Sequence, residues 1–436
     1  WYGDDDPHVY EQLYPHEPFA NYTTTGGVKK QAKYRYCMRK KVTTVPDDDF
    51  APLYRVIDAL RAPADDLYAA RVSALADIRS WAGYWAVNRM CGNSDHYNSP
   101  GYPHNMYTYI PPYGRSRLHV NDTDGAFRTT YSIFPDSGFL PGIMFAKPEF
   151  RRVYWRLACD MARGPMDPSL SATRLNDWYQ AFRDNGIGAT GPSEMSAWIT
   201  ARRSSYLQAL APMTNVAFTV STPNIATNTA PVAVTGTAPI AVTAIEVNGL
   251  PHALTWIGET TWQIRIALAP GANVLAFQAF DEQGAAAGSD TATITYTGSP
   301  VSLEGKLLIT EIMYHPAAPA SSFVEILNLS PTETLPLGGL RVDGIDATIG
   351  HGRFIAPGGY AVVARSLPGY QSSYGNAEAV VGVFNGALDN GGETLSLQWT
   401  QGTNTIVLDQ VTYSDDPPWP AAADGGRPTW RNVRRR

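Results

Sequence analysis

The chain changes its hydrophobic rhythm once, near Val216, and that switch constrains its fold more than any other feature. Before it, apolar residues recur at helical spacing: Leu53, Val56, Ile57 and Leu60, then Leu67, Val72, Leu75 and Ile78, leading into Trp81-Ala-Gly-Tyr-Trp85. The same spacing predicts helices over Phe150–Met161, Leu175–Phe182 and Trp198–Leu210, and Asp65-Asp66 after Pro63 reads as a helix start. After it, Thr, Val, Ala and Gly alternate with period two. Val232–Gly236, Ala244–Gly249, Trp262–Leu268, Asn273–Phe280 and Ala292–Tyr296 are predicted as short strands, with a hairpin at Val247-Asn-Gly249 and a turn over Leu268–Asn273. A 3.6-residue period cannot lay a continuous apolar face on a pleated sheet, so the two halves must fold as different classes.

A second strand-rich unit follows the linker Thr297-Gly-Ser-Pro300, with its clearest strands at Leu307–Pro316, Phe323–Asn328, Tyr360–Ala364 and Glu393–Leu397. The expected organisation is therefore three domains: residues 1–211, α+β; residues 212–299, an all-β sandwich; and residues 305–426, a second all-β sandwich. Glu311, Glu325 and Asn328 are expected to fix sheet edges and turns of the last unit rather than to bind calcium.

Charge narrows the function. The net charge is −6, but the last ten residues hold five arginines and no acid, which leaves −11 on the rest. A body that acidic argues against nucleic-acid binding. Three cysteines, Cys37, Cys91 and Cys159, make neither a disulfide framework nor a zinc-ligand spacing. No apolar run is long enough for a membrane span. The chain starts at Trp1 without a signal peptide and reads as a fragment, and the Arg427–Arg436 tail reads as foreign to the rest.

One short region concentrates chemistry. It runs Gly92-Asn-Ser-Asp95-His-Tyr, His104-Asn105-Met-Tyr-Thr-Tyr and Leu118-His-Val-Asn-Asp122-Thr-Asp124-Gly-Ala-Phe127. Two strands joined by a turn at Pro111–Gly114 would bring its ends together. Asn105, Asp122 and Asp124 are hard oxygen donors suited to Mg²⁺ or Mn²⁺. Asp95, left off the metal, could take a proton from a hydroxyl nucleophile, and together these are the parts that phosphoryl transfer needs. The bland readings are a simple turn at Asp122-Thr-Asp124-Gly125 and a loop or capping role for Asp95. His96 and His104 are expected to be surface or loop histidines, and Tyr107 and Tyr109 to pack on a strand face, while Tyr102 and Tyr113 complete an aromatic set able to grip a substrate. Asp4–Asp6 and Asp47–Asp49 read as solvated loops. No hydrolase triad, nucleophile elbow, metalloprotease helix or phosphate-binding glycine loop is present.

Two resemblances rest on these residues. The unit containing Ile309–Pro316, Phe323–Asn328, Leu337-Gly-Gly-Leu340, Phe354–Tyr360, Leu388–Leu395 and Tyr413–Pro420 resembles the lamin tail domain, an immunoglobulin-like sandwich of nuclear lamins and of secreted bacterial proteins. Residues 1 to about 165, most of all Trp81 to Phe127, resemble the CotH family of spore-coat protein kinases, whose fold is a remote protein-kinase fold. The resemblance implies Asp95 as the catalytic carboxylate, and Asn105 with the D-x-D pair Asp122 and Asp124 as holders of Mg²⁺ or Mn²⁺ on ATP. It implies only the C-lobe half of such a site, since no residue is assignable to the nucleotide and nothing places Lys29, Lys30 or Lys33 on the required strand.

The expected function is thus an extracellular or cell-surface bacterial protein kinase of CotH type, transferring phosphate from ATP to Ser or Thr of a protein, and inactive while its N-terminal lobe is missing. The alternative is a non-catalytic surface or matrix protein whose β-sandwich modules bind cell-surface protein or glycan.

Overall fold

The computed structural model describes residues 7–13, 17–41, 49–63, 68–97, 105–111, 114–127, 132–135, 139–222, 224–375, 379–417 and 430–431. Tyr102, His104 and Tyr113, the acidic runs except Asp49, the Asp65-Asp66 helix start and nearly all of the arginine tail lie outside that set. The chain divides into two compact units, Trp1–Asn215 and Val216–Arg436. Among the described residues no helix is long and apolar enough to cross a membrane.

The first unit is α+β. In chain order it comprises β1 (His8–Gln12), α1 (Gln31–Cys37), β2 (Met38–Lys40), α2 (Ala51–Arg61), α3 (Tyr68–Leu75), α4 (Ile78–Met90), β3 (Met106–Ile110), β4 (Arg117–Val120), α5 (Phe139–Met144), α6 (Pro148–Arg163), α7 (Pro168–Asp184) and α8 (Ser193–Thr214). The four strands form one antiparallel sheet in the order β2-β1-β3-β4. Helix α4 begins where Asp77 accepts a bond from the Ser80 amide, a side-chain cap for one of the free amides of the first turn. It is buried on most sides, with Trp81 and Trp85 wholly inside, because it packs between the sheet and α6. The indole of Trp81 donates to the Ser116 carbonyl at 2.9 Å, which ties the helix to the start of β4. The predicted helices therefore stand, while α1, α5, β1 and β2 were not foreseen.

The second unit is built on β-sheets, as its rhythm requires. It also holds a short α-helix, Leu367–Tyr374, capped by the Ser366 side chain, which the all-β expectation missed because eight residues give too little helical period to read. In its first sandwich one sheet runs Leu254–Trp256, Thr261–Ile266, Val232–Thr237, Thr219–Val220, and the other runs Ile225–Thr227, Ala286–Tyr296, Gly271–Phe280, Ala244–Val247, Leu250–Pro251. The Asn248-Gly249 hairpin forms as predicted, with both residues at positive φ (52° and 76°) and Ala244–Val247 paired to Leu250–Pro251. Trp262 sits at the centre, stacked on Phe218 at 5.7 Å. Gly236 is required beneath it, since a Cβ there would lie 2.4 Å from the indole and 2.0 Å from the Thr219 carbonyl.

The second sandwich pairs Val380–Val383, Tyr360–Ala364, Phe323–Asn328, Leu307–Met313 and Trp430–Arg431 in one sheet. Ala347–Thr348, Arg341–Asp343, Thr394–Gln401 and Asn404–Thr412 make the other. Asn328 acts as expected: its amide donates to the carbonyls of Glu333 and Ala356 and accepts from the Ser330 amide, which closes the turn. The two sandwiches meet where the Ala253 amide donates to the His351 carbonyl at 2.8 Å and the rings of His252 and His351 lie 5.3 Å apart.

Candidate active site

Helix α4 ends at Met90, and Gly92 at φ +60° turns the chain out of it. Asn93 then acts as a bracket. Wholly buried, it donates to the Asn88 side chain at 2.8 Å and accepts from the Asp95 amide at 3.1 Å. This Asx turn fixes the backbone that carries Asp95. The next residue corrects the sequence reading. His96 is a loop residue but not a surface one: it is 1 % exposed, faces the Tyr97 carbonyl, and burial pushes its imidazole down to about 4.

The hairpin β3–β4 forms as expected, and its register pairs Met106 with Val120. Asn105 and Asp122 therefore lie at the same end of the pair, opposite the end that carries Tyr109 and Arg117, while Pro112 and Tyr113 of the expected turn lie outside the described residues. Both adopt left-handed backbone, at φ 60° and 52°, a conformation that Asn and Asp tolerate better than most residues.

Three segments converge there. The Asn105 amide donates to the Asp95 carbonyl at 3.0 Å and to its carboxylate at 3.1 Å. The Ser94 amide donates to the Gly125 carbonyl at 3.0 Å, and the Phe127 amide to the Cys91 carbonyl at 2.7 Å. The Asn93 side chain reaches the Asp122 carbonyl at 3.4 Å. Gly125 is needed for this approach, because a Cβ there would lie 2.7 Å from Asn93 Oδ1 and 2.9 Å from Ser94 Oγ. So the D-x-D turn is stitched to the Asp95 loop by main-chain bonds, with Asn105 clamped between.

The side chains are less gathered than the backbone. Asp95 and Asn105 are in contact, but Asp122 and Asp124 are exposed. Asp122 Oδ1 accepts, among the described residues, only a long bond, 3.4 Å, from the Asp124 amide. Among the described residues no three His, Cys, Asp or Glu side chains are grouped to hold a metal. The donor chemistry nevertheless fits a hard cation: an amide oxygen and two carboxylates, with the His96 imidazole turned to a backbone carbonyl. Mg²⁺ and Mn²⁺ sites with few protein oxygens take phosphate and water for the remainder.

Sequence reasoning missed the partners of this hairpin. Strand β1 pairs with β3 in the register His8↔Ile110, and places Glu11 opposite Arg39. Glu11 forms ion pairs with Arg39 at 2.7 Å and Lys41 at 3.0 Å. Burial pushes its carboxyl up, but Lys41 and Arg39 outweigh that and hold it below its ordinary value. Strand β2 thus carries a cationic segment, whereas Lys29 pairs with Asp58 and Lys33 lies over the rings of Tyr22 and Tyr36, all off this sheet. The short alternation His8-Val-Tyr-Glu-Gln12 was the available signal.

Comparison with known proteins assigns both ends of the chain. Residues 4–184 match the family model described as CotH kinase protein, and residues 300–415 match the Lamin Tail Domain. The chain therefore joins a CotH kinase-family segment to a lamin tail domain through a further β-sandwich. No curated protein matches it. Among solved structures it is similar to the fibronectin(III)-like modules of Clostridium thermocellum CbhA, at 16% identity over 19% of this chain and 99% of that one, with a TM-score of 0.16. It is also similar to a Bacteroides ovatus mixed-linkage glucan utilization protein, SGBP-B, at 12% identity over 44% and 46%, TM-score 0.15. A third is the BSP domain of a biofilm-associated protein, at 15% identity over 47% and 30%, TM-score 0.15. The chain spans less than half the length of the latter two.

Proposed function

We propose that this CotH-family segment, borne on a β-sandwich and a lamin tail domain, is a metal-dependent phosphotransferase that moves the γ-phosphate of ATP to a Ser or Thr hydroxyl of a protein. The observation that carries the reading is the Asp95–Asn105 contact set against the Asp122-Thr-Asp124-Gly125 turn. A carboxylate able to accept a proton stands beside an amide and two carboxylates able to hold a cation. Asp95 accepts the acceptor hydroxyl's proton as its oxygen bonds to phosphorus and ADP leaves. Asn105 orients Asp95 through its amide nitrogen, so its oxygen is the atom available to a cation, and Asp122 and Asp124 supply the other oxygens. Bound Mg²⁺ or Mn²⁺ supplies charge neutralisation on the phosphates. The acceptor is a protein, and the setting is the outside of a bacterial cell, where β-sandwich modules serve attachment.

The test is phosphate transfer from γ-labelled ATP to a Ser/Thr-rich acceptor by the full-length protein, with Mn²⁺ and then with EDTA. Asp95→Asn and Asp124→Ala should each lower it steeply. Unchanged rates in either variant would sink the assignment. The second reading, a non-catalytic surface or matrix protein, is favoured by the exposure of Asp122 and Asp124 and the lack of a grouped metal set among the described residues. It predicts no thermal shift on adding ATP with Mn²⁺, and attachment to cell-surface glycan or protein that ignores nucleotide.

A further inference from the structure

We propose that Glu17 is a positioning residue of this site, holding the Asp95–Asn105 pair through a relay of two tyrosines. The inference rests on the phosphotransferase reading for its catalytic consequence, but its geometry stands on its own.

The relay is continuous. Both carboxylate oxygens of Glu17 lie 2.8 Å from the Tyr97 hydroxyl, which donates to them. Glu17 is itself anchored, since the Phe19 amide donates to its carboxylate at 3.0 Å and the Tyr22 hydroxyl to its carbonyl at 2.9 Å. The Tyr97 amide donates to the Tyr84 hydroxyl at 2.9 Å, and that hydroxyl donates onward to the Asn105 carbonyl at 3.1 Å. Asn105 then holds Asp95. A phenol has one proton, so Tyr84, accepting from Tyr97 and donating to Asn105, has a fixed orientation. Both tyrosines are 1 % exposed.

Each link falls where the site needs support. Tyr97 is two residues beyond Asp95, and Tyr84 projects from α4, whose end launches the Asp95 loop. Asn105 sits in left-handed backbone, which persists only where its surroundings hold it. Its carbonyl is held by Tyr84 and its side chain by Asp95. The identity of residue 17 matters too. Burial pushes the Glu17 carboxyl above its ordinary value, so an acid here costs stability that an apolar side chain would not. What the carboxylate adds is a directed grip on Tyr97.

The experiment compares Glu17→Leu, Glu17→Gln and Tyr97→Phe in the whole chain by two readouts. Hydrogen exchange should rise in the segments holding Tyr97 and Asn105 for Glu17→Leu and Tyr97→Phe. Glu17→Gln, which still accepts from the Tyr97 hydroxyl, should restore protection. In transfer assays kcat should fall roughly ten- to a hundredfold for the first pair, with KM for ATP nearly unchanged, as expected when a reacting group is misplaced. Unchanged exchange in Glu17→Leu overturns the inference whatever the activity, and so does a lowered melting temperature with normal kcat. If Asp95→Asn leaves transfer intact, the reaction assignment fails instead, and hydrogen exchange alone still decides the relay.

Discussion

Asp122 in the first unit and Asp281 in the second both stand just after a strand and just before a glycine turn, yet their carboxylates are used differently. Asp281 Oδ1 accepts from the amides of Gln283 at 3.0 Å and Ala285 at 2.8 Å, and its main chain bonds Ala285 and Gly284 as well. Its carboxylate is consumed by the turn. Asp122 sits in left-handed backbone and, among the described residues, its carboxylate accepts one 3.4 Å bond and that of Asp124 none. The D-x-D turn is instead held by its main chain, through Gly125 and Phe127. A turn secured by its own side chains is a stabilising device, whereas one secured by backbone leaves its carboxylates available to a ligand.

That contrast can be broken experimentally, beginning with the largest effect. Trp262→Ala should cost about 3–5 kcal/mol of stability in the β unit, the loss typical of a buried aromatic, while leaving ATP-dependent transfer at its original rate. Denaturant unfolding and the transfer assay together check it. Asp124→Ala should do the reverse, lowering transfer about a hundredfold while moving stability by less than about 0.5 kcal/mol, as for exposed positions. A melting temperature that falls with activity would mean that Asp124 belongs to the turn after all.

Acidification gives a third, smaller effect. Burial holds His96 down at about 4, and burial, with the neighbouring His351 acting on His252, lowers both of that pair. Folded forms of these residues bind fewer protons than unfolded ones, so their contribution is full above pH 6.5 and is lost as pH falls, toward pH 4 for His96. Glu17, with its carboxyl raised, works in the opposite direction and partly offsets the loss in the first unit. Melting curves from pH 7.5 to 4.5 should therefore decline, and His96→Gln should flatten the decline. Smallest of all, Asp281→Ala should cost about 1 kcal/mol through its two turn bonds, with no change in transfer.

Local features were legible in the sequence and distant ones were not. The β3–β4 hairpin, the meeting of Asp95 with Asn105 and the Asn248-Gly249 turn follow from spacing and turn chemistry within a few tens of residues. Strands β1 and β2 are five and three residues long, too short for an alternation such as His8–Gln12 to stand out, and β1 gains its partner β3 from far along the chain. His96 fits the expectation of a surface or loop histidine in being on a loop, but its burial was not legible because one buried loop side chain leaves no periodic trace. Glu17 was invisible for a related reason: its role exists only through Tyr97, eighty residues away.

The order of strands in the first sheet also sets an order of assembly. Every residue the proposed chemistry uses lies between Asp95 and Asp124, and the Tyr84 support is near by, so that part can close over short loops in microseconds. Strand β1 lies inside the sheet, yet it cannot find β3 until residue 110 exists. On a ribosome, the reacting groups would therefore be brought together before the segment carrying Glu11 and Glu17 docks upon them, and that docking is the slow, non-local step.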